Sequence, residues 1–189
     1  MSVCVLVAAA GSGKRMGMSK NKAHLLLKGK PILIHTLSVF ETCESVDEII
    51  VIASPEEVNF TYDLIQFWDV NSKVKKVVCG GLTRQESIFL GLKHVTPECE
   101  IVVIHDAARP LVRICTIEAV IQAAYKYGAA IAAVPVRDTI KMIEDDYISC
   151  TLNRDSLRAA RTPQAFQHKL IQDAHMNAVK EFFSATDDS

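Results

Sequence analysis

Neither sign of charge prevails in this chain: 21 lysines and arginines stand against 22 aspartates and glutamates, a formal net charge of −1. No global field draws it to nucleic acid or to an anionic membrane surface, so its cations matter only where they cluster. The six cysteines, at 4, 43, 79, 99, 115 and 150, form no C-x-x-C pair and no zinc-ligand spacing. Most sit in apolar runs and read as reduced core thiols. No apolar stretch reaches membrane-spanning length, and the N-terminal one is too short for a signal peptide and lacks its positive n-region. The expectation is a cytoplasmic protein with neither nucleic acid nor membrane as partner. Repeats, linkers and low-complexity segments are also missing. At 189 residues, 49% of them hydrophobic and 23% charged, the chain suits one well-filled core, a single domain over residues 1–189.

What is present is an alternation. Short apolar runs at 3–7 and 100–105 predict buried strands, and 48–53, 74–79 and 129–134 also read as strands. Between them, residues 31–41, 55–67, 83–93 and 116–127 carry helical periodicity, the last closed by Gly128. Strands alternating with helices predict an α/β fold: a doubly wound, mainly parallel sheet with helices on both faces. Two places depart from the rhythm. Residues 139–142 and 147–152 flank Glu144-Asp145-Asp146 and predict a hairpin projecting after the fifth strand. Arg161-Thr162-Pro163-Gln164 then predicts a chain break before a helix over 166–183, amphipathic through Leu170, Ile171, Ala174 and Ala178.

The first strand runs into Ala8-Ala9-Ala10-Gly11-Ser12-Gly13-Lys14-Arg15-Met16-Gly17, with Asn21-Lys22 just after. Glycines directly after a strand let backbone N–H groups approach a ligand, and small neighbours leave it room. Lys14, Arg15 and Lys22 add three positive charges, which suits the charge that builds as pyrophosphate leaves a phosphorus centre. A dinucleotide fingerprint needs a third glycine where Met16 stands. A Walker loop needs four residues between its glycines, and only Ser12 separates Gly11 from Gly13. A triphosphate cradle is the reading that remains, beside the plainer one of a strand-to-helix turn with exposed basic residues.

Ligands of an open parallel sheet bind beyond the strands' carboxyl ends. There the sequence places Gly80-Gly81-Leu82-Thr83-Arg84-Gln85-Glu86-Ser87 after the third strand, Asp106-Ala107-Ala108-Arg109-Pro110 after the fourth and Asp138-Thr139-Ile140-Lys141 after the fifth. Asp106 suits a magnesium ion whose remaining ligands are water and phosphate oxygens, and equally suits a helix cap or an ion pair with Arg109. Arg109 can grip a phosphate with two prongs or serve that ion pair. His105 reads as a strand-end histidine without a chemical role.

Taken in order, these motifs, with Thr162-Pro163-Gln164, resemble the 2-C-methyl-D-erythritol 4-phosphate cytidylyltransferase family over the whole chain. The resemblance implies a Rossmann-like nucleotidyltransferase fold and Mg2+-dependent transfer of CMP from CTP to a polyol phosphate, with release of pyrophosphate. It implies that Ala8, Ala9, Ala10, Gly11, Ser12 and Gly13, with Gly80, Gly81 and Ser87, form the cytidine and triphosphate shell. Arg15 and Lys22 resemble transition-state stabilisers, Lys14 faces the phosphates, and Asp106 resembles the metal site. Arg109, Thr139, Arg154 and Thr162 resemble the acceptor-holding set. In the family the chain runs on past Thr186-Asp187-Asp188, through a further strand, a second acceptor-positioning lysine and a closing helix; the sequence given stops at Ser189. Ribitol 5-phosphate cytidylyltransferase shares the nucleotide loops, and the Thr162 region favours methylerythritol phosphate over its acceptor. A nucleotide-binding protein without turnover is the reading from another class. The predicted hairpin carries Ile140, Met142, Tyr147, Ile148 and Leu152, too apolar for a free arm in water. The expectation is a homodimer in which residues 139–153 exchange between subunits, the alternative being a hairpin folded back on its own sheet.

Overall fold

The computed structural model describes residues 2–11 and 21–189. In chain order the elements are β1 (Val3–Ala8), β2 (Leu26–Leu27), β3 (Lys30–Pro31), α1 (Ile32–Glu41), β4 (Glu48–Ala53), α2 (Val58–Phe67), β5 (Val74–Cys79), α3 (Arg84–Leu92), β6 (Ile101–Asp106), α4 (Ile114–Tyr127), β7 (Ala129–Pro135), β8 (Lys141–Glu144), β9 (Tyr147–Thr151), β10 (Arg158–Gln167) and α5 (His168–Lys180). Short 3-10 turns occupy Lys22–His24, Pro55–Glu57 and Arg154–Ser156.

Six strands form one sheet in the order β5-β4-β1-β6-β10-β7. β5, β4, β1 and β6 pair in parallel, and β10 runs antiparallel to both its neighbours, so β7 points with the parallel set. The apolar strands are explained by two buried faces. Val3, Val5 and Val7 pack with Leu33, Leu37 and Phe40 of α1 and with Ile117 and Ile121 of α4. Cys4 and Leu6 point the other way, onto Ile88 and Leu92 of α3 and Ile171 of α5. At about 1.5–3 kcal/mol for each fully buried Val, Leu, Ile or Phe, these two layers hold the sheet edge in place. Gly91 lets α3 lie close on β4: a Cβ there would stand 2.5 Å from Cδ1 of Ile52.

The end of the chain departs from expectation. Arg161–Gln164 does not break it: β10 runs through that stretch for ten residues, and α5 begins only at His168 and ends at Lys180. Gln164–Gln167 pair with Ile101–Ile104, which buries Ala165 and Phe166. Pro163 lies at a register shift between Arg161 and Gln164, where a missing N–H costs the ladder nothing. The buried side of α5 is Ile171 and His175, whereas Leu170 and Ala174 face outward.

β7 and β10 also continue past the rest of the sheet. Arg158–Arg161 pair with Ala132–Pro135 alone, beyond the last β6 partner, Ile104. From this ribbon projects the hairpin of β8 and β9, turning at Asp145 (φ 47°) and Asp146 (φ 66°), the positive pair that a tight two-residue hairpin turn requires. Among the described residues the two strands pair only with each other, and Met142, Ile143, Tyr147 and Ile148 are exposed. The hairpin therefore does not fold back on its own sheet.

Candidate active site

The carboxyl edge of the parallel strands is built from backbone first. Ala8, the last residue of β1, stands in register with Ile52 and Asp106, and it accepts a hydrogen bond from Ala107 N at 3.0 Å. Ala9 N donates to Ile52 O at 2.8 Å, while Ala9 O accepts from the buried Asn21 Nδ2 at 2.5 Å. The loop that leaves at Gly11 is thus tied, where it returns, to the strand it came from. Ser12, Gly13, Lys14 and Arg15 lie outside the described residues. Lys22 comes directly after Asn21, half-buried, and opens the Lys22–His24 turn, which Asn21 Oδ1 caps by accepting from Ala23 N at 3.1 Å.

The second loop closes against the first. Gly80 N donates to Ala53 O at 2.8 Å, and Gly81 N donates to Ser87 Oγ at 3.0 Å. A Cβ on Gly80 would stand 2.9 Å from both Ala10 Cβ and Ser87 Oγ. Ala10, Gly80, Gly81 and Ser87 therefore make one small-residue wall, which only a glycine at 80 permits. Thr83 caps α3 by accepting from Glu86 N at 3.1 Å, and this sets Ser87 one turn into the helix.

Beside this wall Asp106 ends β6, and two arginines hold its carboxylate. Arg84 Nη1 donates to Oδ1 at 2.7 Å and Arg109 Nε donates to Oδ2 at 2.8 Å. Asp106 N donates to Thr162 Oγ1 at 3.2 Å, so β10 delivers Thr162 to the same spot. The ion pair weighed for Asp106 and Arg109 is present, with Arg84 added. Arg84 Nη2 lies 2.8 Å from Asp188 Oδ2, an ion pair without hydrogen-bond alignment. Burial pushes the Asp188 carboxyl above its ordinary value, although the Arg84 charge opposes this. Burial also acts to raise Asp187, but hydrogen bonds from Ser189 and Gln164 outweigh it and hold that group below its ordinary value. His105 is fully buried, edge-on to Phe40, with Nε2 3.1 Å from Arg109 O. Burial draws its pKa down to about 4, so it is a neutral structural ring.

Among the described residues no group of three or more His, Cys, Asp or Glu is placed to hold a metal ion. Asp106 nonetheless fits as a single ligand. Its side chain is 29% exposed, and each carboxylate oxygen accepts one protein hydrogen bond, which leaves lone pairs free. Magnesium keeps several waters and takes one or two carboxylates besides substrate phosphates.

Of the residues expected from sequence, Ala8, Ala9, Ala10, Gly11, Lys22, Gly80, Gly81, Ser87, Asp106, Arg109 and Thr162 stand at this edge. Thr139 and Arg154 do not join the cluster within the chain. Both are exposed at the base of the hairpin, and Arg154 Nη1 donates to Arg137 O at 3.2 Å. Arg84 stood in a motif without an assigned role, and Glu57, which meets Asn21 Nδ2 at 2.8 Å, had no local signal at all. Thirty-six residues separate those two partners.

A profile of the family described as 2-C-methyl-D-erythritol 4-phosphate cytidylyltransferase matches residues 3–189. A protein of that name from Caldanaerobacter subterraneus subsp. tengcongensis is 44% identical, over 100% of this chain and 84% of its own length. One from Halalkalibacterium halodurans is 43% identical, over 100% of this chain and 82% of its own. Among solved structures, 4-diphosphocytidyl-2C-methyl-D-erythritol synthase from Anaerococcus prevotii superposes with a TM-score of 0.85 at 32% identity, covering 99% of this chain and 79% of its own.

Proposed function

The chain belongs to the 2-C-methyl-D-erythritol 4-phosphate cytidylyltransferase family, and from that premise we propose that the carboxyl edge of its sheet is the active site. The enzyme transfers CMP from CTP to 2-C-methyl-D-erythritol 4-phosphate, releasing pyrophosphate, in isoprenoid precursor synthesis. An ionised oxygen of the acceptor phosphate attacks the α-phosphorus of CTP as the bond to the β-phosphate oxygen breaks, and pyrophosphate carries away the electron pair. A phosphate monoester is largely ionised at neutral pH, so no strong general base is needed. Positioning and charge neutralisation supply the rate.

In this reading Ala8, Ala9, Ala10, Gly11, Ser12 and Gly13 enclose the cytidine and triphosphate together with Gly80, Gly81 and Ser87. Lys14 serves the phosphates, and Arg15 and Lys22 meet the charge that develops as pyrophosphate departs. Asp106 would hold Mg2+, which would supply charge neutralisation at the phosphates. Arg109 and Thr162 hold the acceptor from the same chain, and Thr139 and Arg154 reach it from the exchanged arm of a twofold mate. Both substrates are water-soluble anions, which suits catalysis in the cytoplasm; among the described residues no helix is long and apolar enough to cross a membrane.

The observation that carries this reading is the meeting of the Ala10–Gly80–Ser87 wall with the Arg84–Asp106–Arg109–Thr162 cluster at one sheet edge. Pyrophosphate release from CTP, followed with methylerythritol phosphate and in parallel with ribitol 5-phosphate, tests it. Release dependent on the former is expected. Release with ribitol 5-phosphate alone would reassign the acceptor, and release with neither would overturn the reading.

A further inference from the structure

We propose that Glu57, at the start of α2, is a positioning residue for the cation Lys22: one carboxylate holds both ends of the turn that Lys22 opens. At the start of the turn, Glu57 Oε2 accepts from Asn21 Nδ2 at 2.8 Å. At its end, His24 Nδ1 lies 3.4 Å from Glu57 Oε1. Every other tie serves the same clamp. Ser54 Oγ donates to Glu57 Oε2 at 2.8 Å, and Glu57 N donates to Ser54 O at 2.9 Å, so the carboxylate is itself held. His24 Nε2 meets Thr61 Oγ1 at 3.3 Å, and its ring stands edge-on to Phe60 at 5.0 Å. Asn21 is 7% exposed and has three partners, Ala9 O, Ala23 N and Glu57.

The consequence follows from the freedom of a lysine. A four-carbon stem carries a point charge that many rotamers can place, so its position in a transition state depends on a fixed backbone. Asn21 ties the turn to β1 through Ala9 O, and the buried Ala23 packs it on the core beside α1; among the described residues the polar tie to α2 runs through Glu57 and His24. The packing of Ala23 holds the turn's position, and the tie to α2 adds the constraint that fixes the direction in which Lys22 leaves the backbone. Glu57 forms no hydrogen bond or ion pair with Lys22 and touches no phosphate in this reading, so it acts through its neighbours.

The inference rests on Lys22 acting in the transition state, and a double-mutant cycle separates the two claims. Steady-state rates of the full-length enzyme are compared for Glu57→Ala, Lys22→Ala and the double variant, with CTP affinity measured by calorimetry. Glu57→Ala should lower kcat about 10-fold, less than the roughly 10²-fold that a 1 Å misplacement can cost, while CTP affinity stays within about twofold. In the Lys22→Ala background the same change should cost less than about twofold, since there is no cation left to position. Glu57→Gln, which keeps an acceptor oxygen for Asn21 and Ser54, should recover most of the rate. An equal fractional loss in both backgrounds, or no loss in the wild-type background, would overturn the proposal. A Lys22→Ala enzyme with full kcat would instead overturn the role of Lys22 itself.

Discussion

In the proposed reaction the chemistry turns on Lys22 and Asp106, which differ in how they are held. A cation placed for developing charge acts mainly in the transition state, so Lys22→Ala should lower kcat by about 10²–10³-fold, as removal of one stabilising donor does. CTP binding should change far less; an effect confined to the Michaelis constant for CTP would make Lys22 a binding residue only. For Asp106, chelation of divalent metal should abolish turnover, and Asp106→Asn should shift the Mg2+ titration to higher concentration. An unchanged titration would remove Asp106 from the metal site. The sequence singles out both, Asp106 at the end of a strand and Lys22 in the cationic stretch that follows β1. The Asp106–Arg109 pair was open to view at three residues' spacing, but the longer-range contacts were not. The bond from Arg84 to Asp106 spans 22 residues and that from Glu57 to Asn21 spans 36, and periodicity carries no information about which long side chains meet at such separations.

Among the elements, the four parallel strands with their helices could be read almost to the residue: β1, β4 and β6 are mainly apolar runs between turn signals, and β5 shows as a β-branched run interrupted by Lys75 and Lys76. β10 could not. Over the four positions Gln164–Gln167 a strand and the first turn of a helix look alike, and Pro163 suggested a stop where the structure has only a register shift. The missed strand matters for the site, because β10 brings Thr162 against Asp106 N. The junction of β5 and α3 offers a sharper test of how loops make the nucleotide wall. Gly80→Ala would drive a methyl group into Ala10 and Ser87, an overpacking of about 1–3 kcal/mol. CTP affinity should fall about 10-fold, equivalent to about 1.4 kcal/mol. Unchanged affinity in calorimetry would separate this wall from the nucleotide.

At the scale of the whole molecule, the site of a single chain holds the nucleotide loops, Asp106, Arg109 and Thr162, while Thr139 and Arg154 stand apart on a ribbon whose apolar side chains are uncovered. An isolated two-stranded hairpin is marginal in water. Exchange of this arm with a twofold mate would bury Met142, Ile143, Tyr147 and Ile148 and carry the two acceptor residues to the neighbouring nucleotide loops. The hairpin itself was legible from its turn and its alternating side chains. The β7–β10 ribbon that carries it outward was not, because it depended on the strand that was missed. Central to the account is one cytidylyl-transfer site assembled from the sheet edge of one subunit and the arm of the other. The direct test unfolds Lys22→Ala and Arg154→Ala chains together, refolds them, and measures pyrophosphate release from CTP with methylerythritol phosphate. If the two residues of a site come from different chains, each mixed dimer has one intact site, and random pairing restores roughly a quarter of wild-type activity. Recovery no greater than the residual rates of the parent variants would contradict the shared site.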